Sequence, residues 1–238
     1  MKRFFPMVAL MLCGLGLYPR FVIQAAAQSD VLFQVDHDAY TSYYDINTNC
    51  PSVVCYSLSL SDFSGSEKVS TRHFRIDTKL PKPRVKDSDY AHSGYVRGHL
   101  CAAADRDSRR AWLKQTYLTS NLVPMTMTCN SGAWKQVEDS IRMVVAQGHP
   151  QMICCGPVFS PMQLTQIGKT SVRVPVAFFK VSKCMVHPSE ISVLLVDNNS
   201  SACYIKRFTS PLQLFQLLND EMVKRITINY LQLWYHEE

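Results

Sequence analysis

The clearest periodic signal in this chain lies at residues 131–146, where Trp134, Val137, Ile141 and Val144 recur at three or four residues. That spacing puts an apolar stripe on one face of a helix, and the stripe needs a partner surface. Short runs of apolar and β-branched character at 56–60, 72–77, 151–159, 171–184 and 191–196 read as strands that can supply it. A further helix is predicted from Ser210-Pro211, with Leu214, Phe215, Leu218 and Met222 on one stripe. The mixture predicts an α+β fold, a central antiparallel or mixed sheet flanked by helices. Segments 28–49 and 230–238 carry no assignment.

No Pro/Gly/Ser-rich linker, repeat or low-complexity run divides the chain, so residues 28–238 read as one domain with a sizeable core. Residues 1–27 read as an export signal: Lys2 and Arg3 make a basic start, 4–17 is apolar, and Ala25-Ala26-Ala27 offers a small-residue cleavage site. The apolar stretch falls short of the roughly 20 residues needed to cross a bilayer as a helix. Later apolar segments are broken by charged or turn residues. The expectation is a secreted or periplasmic protein without a stable membrane span.

Eight cysteines follow residue 27: Cys50, Cys55, Cys101, Cys129, Cys154, Cys155, Cys184 and Cys203. An even number in an exported chain predicts disulfides. Cys50 and Cys55 are close enough for a local loop, and Cys184 with Cys203 could join neighbouring strands; the other pairings stay open. Zinc is disfavoured, because no C-x-x-C pair exists and the adjacent Cys154 and Cys155 would point apart in a strand.

The formal charge of the whole chain is +6, but between Lys68 and Lys114 twelve Lys/Arg stand against five Asp/Glu. A local excess of that kind suits a polyanion, since phosphate contacts supply affinity independent of sequence. Within and just after this segment stand Arg97-Gly98-His99, Ser120-Asn121, Asn130, Trp134 and Glu138. An imidazole, with an unperturbed pKa of about 6.5, can take a proton from water near neutral pH. An amide oxygen can hold a hard cation that keeps most of its own hydration. Together these residue types suit hydrolysis of a phosphodiester by one metal ion. No G-x-S-x-G motif points to a serine hydrolase instead.

Five fragments stand in order: residues 95–100 (YVRGHL), 119–124 (TSNLVP), 130–138 (NSGAWKQVE), 156–159 (GPVF) and 174–180 (VPVAFFK). In order and spacing they resemble the DNA/RNA non-specific endonuclease family, sugar-non-specific secreted nucleases with a ββα-metal active-site element. The similarity spans roughly Cys55 to Arg225. It implies that His99 is the general base and that Asn130 holds Mg²⁺, or another divalent cation such as Mn²⁺, as its one direct protein ligand. A helix N-cap is the other role open to Asn130. Glu138, about 12 Å further along a regular helix, would hold a metal-bound water or orient a neighbouring group. Arg72 would face the phosphorane-like transition state, and Asn121 would lie near the substrate phosphate. Arg97 would support its loop or contact the nucleic-acid backbone, Gly98 would permit close approach of main chain, and Trp134 would sit in the core.

The family motif usually begins with aspartate where this chain has Val96. His99 would then take its support from a backbone carbonyl or from another carboxylate, such as Asp105 or Asp107. Both DNA and RNA are implied substrates, because an external water nucleophile needs no 2′-hydroxyl. The alternative is a catalytically impaired, nuclease-like protein that still binds nucleic acid.

Overall fold

The computed structural model describes residues 32–63, 65, 67, 74–160, 162–189, 191–198 and 205–208. The expected signal segment, Arg72, Cys203 and the helix expected from Ser210 lie outside the described residues.

In chain order the strands are β1 (Phe33–Asp36), β2 (Thr41–Asp45), β3 (Cys50–Leu58), β4 (Val96–His99), β5 (Leu122–Met125), β6 (Gln151–Val158), β7 (Gln166–Ile167), β8 (Val172–Arg173), β9 (Ala177–Cys184), β10 (Ile191–Asp197) and β11 (Ile205–Phe208). Seven of them form one sheet in the order β1-β2-β3-β6-β9-β10-β11, antiparallel at every pairing. The α+β expectation is met. The helices are α1 (Leu60–Phe63), α2 (Arg110–Thr116), α3 (Met127–Cys129) and α4 (Lys135–Ala146), the last two joined by a π turn over Asn130–Trp134.

Side chains alternate across the central strands, as the two-residue period of a pleated sheet requires. Val54, Tyr56, Ile153, Cys155, Phe178 and Val196 face the helix, where Trp134, Val137, Ile141 and Val145 cover them. Val53, Cys55, Met152, Cys154, Phe179 and Val181 form a second buried layer on the opposite face. At the end of the helical stripe the fourth residue is Val145 rather than the expected Val144, which is 41% exposed. The four-residue step from Ile141 keeps closer to the stripe than the three-residue step does.

The helical run also begins earlier than expected. Thr126 caps it, its hydroxyl oxygen accepting the Cys129 N–H at 3.2 Å, so Asn130 lies inside the run instead of capping it. The strand expected at 171–184 is split into β8 and β9 around Pro175, which has no N–H to give a ladder. Of the strand expected at 72–77, Arg75 makes only an isolated parallel bridge to Leu118. The unassigned segment 28–49 contributes β1 and β2.

The expected Cys50–Cys55 loop is not formed. Cys55 is disulfide-bonded to Cys154, its register partner across β3 and β6, with Cα atoms 4.3 Å apart. The alternating strand geometry turns Cys50 away from Cys55's face, and Cys50, Cys101, Cys155 and Cys184 are buried thiols. No helix among the described residues is long and apolar enough to cross a membrane.

Candidate active site

Two short strands and one helix assemble the site. β4 and β5 pair antiparallel, with His99 opposite Leu122 and Val96 opposite Met125. Directly after β5, Thr126 starts the helical run that carries Asn130, Trp134 and Glu138. A strand pair followed by a helix is the ββα arrangement that the resemblance implied. The tie between its parts is a hydrogen bond from the Trp134 indole Nε1 to the His99 carbonyl at 2.9 Å. Trp134 is thus a core residue, as expected, and also a clamp between the strand end and the helix.

His99 is partly exposed, and its ring packs edge-on against Tyr117 at 5.0 Å and tilted against Phe74 at 5.8 Å between centroids. Asp105 does not serve it. That carboxylate is buried and accepts hydrogen bonds from the Tyr56 hydroxyl at 2.9 Å and from Arg142. Val96 packs against the hydrophobic core, so no carboxylate stands at that motif position.

The two asparagines of the pattern have opposite surroundings. Asn121 is fully buried: its Oδ1 accepts the Cys101 N–H at 2.8 Å, and its Nδ2 donates to the carbonyls of Cys101 and Thr116 at 2.8 and 2.9 Å. All of these bonds go to main chain, and they tie Cys101, two residues after His99, to Thr116. In this arrangement Asn121 braces the loop and has no donor left for a phosphate. Asn130 is partly exposed, and among the described residues its amide makes no hydrogen bond. Its oxygen is available to a cation. No cluster of three His, Cys, Asp or Glu that could hold a metal occurs among the described residues, so any ion here would lean on one amide oxygen and water. That donor set fits Mg²⁺ or Mn²⁺ and does not fit zinc.

Glu138 lies under the helix, its Oε1 3.8 Å from Lys180 Nζ on β9. Burial pushes its carboxyl up to about 7, with Lys180 and Arg142 pulling it down and Asp105 and Asp139 pushing it further up. Lys180 is fully buried and sits 4.3 Å over the Trp134 ring. Its place beside Glu138 was missed from sequence, although it closes the 174–180 fragment. Arg142, four residues beyond Glu138 and therefore on the same helical face, was also readable from spacing.

Arg97 is held in place: its Nε forms an ion pair with the Asp87 carboxylate, an Nη donates to the Asp87 carbonyl at 2.7 Å, and its guanidinium lies 5.3 Å from both Phe74 and Tyr90 rings. It supports its loop, one of the two expected roles. Gly98 leaves room for the Met125 side chain, which a Cβ there would meet at 2.7 Å. Of the basic segment, Arg75, Lys79, Lys82, Lys86, Arg109, Arg110 and Lys114 are exposed, whereas Arg106 is buried.

The turn that carries Asn121 is anchored by a buried group. Ser120 Oγ donates to Asp77 Oδ2 at 2.6 Å, and His37 Nε2 meets the same oxygen at 2.7 Å. Serine and imidazole converge on one carboxylate oxygen, so the carboxylate does not steer the imidazole toward the hydroxyl as a hydrolytic triad requires.

A family model described as DNA/RNA non-specific endonuclease matches residues 24–234. Among curated proteins the chain is similar to the mitochondrial nuclease EXOG of Danio rerio, 29% identical over 164 residues, covering 63% of this chain and 48% of that protein. It is 30% identical to the mitochondrial endonuclease G of Homo sapiens (60% of this chain, 52% of that one) and 33% identical to a nuclease of Nostoc sp. (60% and 51%). The chain therefore spans about half the length of the curated relatives it matches. A chain of the solved EndoG/EndoGI complex shares the fold, with a TM-score of 0.62 and 23% identity over 71% of this chain and 75% of that one.

Proposed function

The chain belongs to the DNA/RNA non-specific endonuclease family, and on that premise we propose that it is an exported, metal-dependent endonuclease that hydrolyses phosphodiester bonds of DNA and RNA without sequence specificity. The observation that carries this reading is the Trp134–His99 hydrogen bond. It joins the strand end bearing an imidazole to the turn bearing Asn130, whose amide makes no hydrogen bond among the described residues.

In the proposed reaction His99 takes the proton from a water attacking phosphorus in line. A divalent ion such as Mg²⁺ or Mn²⁺, when bound at Asn130, supplies Lewis acidity toward the scissile phosphate and the departing 3′ oxygen. Glu138 orients water along the helix, and Arg72 stabilises charge on the phosphate. Asn121 acts as a positioning residue for the segment after His99. The exposed cations of residues 75–114 grip the polyanion through its phosphates, with Arg97 holding their loop. Residues 1–27 direct export to a secreted or periplasmic location. The missing aspartate at Val96 favours one second reading, a protein that binds nucleic acid without turning it over.

Cleavage of supercoiled DNA and of RNA by purified residues 28–238 decides between the two. Degradation of both polymers, abolished by chelator and lowered at least a thousandfold by His99→Ala or Asn130→Ala, roughly the scale of losing a base or an electrophile, is expected. Salt-sensitive binding without cleavage under any divalent ion would replace the nuclease reading with the binding one.

A further inference from the structure

Lys180 has surroundings that folding does not explain. Its side chain is 1% exposed at the centre of the sheet, and its Nζ makes no hydrogen bond among the described residues. A buried ammonium is costly unless it is paired, and for stability alone an apolar side chain of similar volume serves as well or better. Two groups occupy the space before it: the Glu138 carboxylate at 3.8 Å and the face of the Trp134 indole at 4.3 Å. The far edge of that indole holds the His99 carbonyl. One cation on the most buried strand thus touches the carboxylate of the helix and the ring that fastens the helix to the catalytic strand.

We propose that Lys180 is a positioning residue for the reaction, aiming the Glu138 carboxylate from below and, through the Trp134 ring, fixing the helix against His99. Lys180 is well placed for this because β9 is buried along its whole length and paired on both sides, to β6 and β10. The helix, by contrast, is interrupted by a π turn over Asn130–Trp134, one turn before Glu138. The other charged or titratable groups facing Glu138 are Asp105 from the 103–105 turn, Arg142 and Asp139 from its own helix and the Tyr56 hydroxyl of β3, while the Cys155 thiol of β6 faces the same pair. Arg142 is already divided between Asp105 and Asp139. Lys180 is therefore the cation left to Glu138.

This inference rests on the nuclease reading, and two measurements separate their failures. The first titrates Glu138 by NMR in ¹³C-glutamate-labelled protein, with Glu138→Gln identifying the resonance. Lys180→Met is expected to raise the Glu138 midpoint by about one pH unit or more, and Lys180→Arg to leave it near the wild-type value. The second measures DNA cleavage against pH. Lys180→Met is expected to lower kcat about tenfold at neutral pH, with KM within about twofold, and to recover in part as pH rises. Lys180→Arg should retain most of the rate, and Lys180→Gln serves in place of Lys180→Met should the latter not fold. An unchanged Glu138 midpoint, or a loss of rate equal at every pH, overturns the proposal. An inactive wild type overturns the nuclease reading alone, and the titration still decides whether Lys180 governs Glu138.

Discussion

At the residue scale, the behaviour of Glu138 follows from its burial. Its carboxyl titrates at about 7 in the fold, against about 4.3 in an unfolded chain. The folded form therefore keeps a proton that the unfolded chain has already released. The stability due to that proton is complete below about pH 4 and is lost as pH rises toward 7, by roughly 4 kcal/mol in all. Glu138→Gln is expected to flatten this slope, which urea unfolding between pH 4.5 and 7.5 would reveal; an unaltered slope would mean that Glu138 titrates normally. The same carboxyl could be read from sequence as a site residue, but its microenvironment could not. Its partners Lys180 and Asp105 lie 42 positions after it and 33 before it, respectively. Asn121 and Asn130 make the same point. Both stand out in the sequence pattern, yet only folding shows that one amide is spent on Cys101 and Thr116 while the other is left open.

At the scale of elements, the helical period over 131–146 was legible because Trp134, Val137 and Ile141 meet the sheet on one stripe. Its true start at Met127 was not legible. Thr126 caps the run from within what reads as a loop, and the π turn shifts the phase between α3 and α4. The turn brings Trp134 to the His99 carbonyl. Trp134→Phe keeps the aromatic packing on Phe178, 5.6 Å away, and removes only the indole N–H. It is expected to cost about 1 kcal/mol or somewhat more in stability, and to lower kcat more than KM changes. Thermal unfolding and steady-state cleavage would check this; equal losses of stability in Trp134→Phe without any effect on kcat would make the clamp structural only.

At the scale of the whole molecule, the covalent link found among the described residues stands on the sheet face opposite the helix and the site. The Cys55–Cys154 bridge closes a loop with a sequence separation of 99 residues. Replacing both cysteines by alanine is expected to lower stability by about 2–5 kcal/mol and to leave kcat unchanged, as urea unfolding and DNA cleavage would show. A loss of kcat at low denaturant would mean that the two faces are coupled. The α+β class, the helix over 131–146 and the strands at 56–60, 151–159 and 191–196 were determined by the sequence itself, because apolar periodicity is a local property, and the ββα element was implied by the family resemblance. Which cysteines bond, which asparagine stays open, what Asp105 serves and where Lys180 points were decided only by the tertiary structure. Each depends on strand register and on contacts between residues far apart in the chain. A one-residue change of register between β3 and β6 would move Cys55 away from Cys154, and a similar shift in β9 would turn Lys180 away from Glu138.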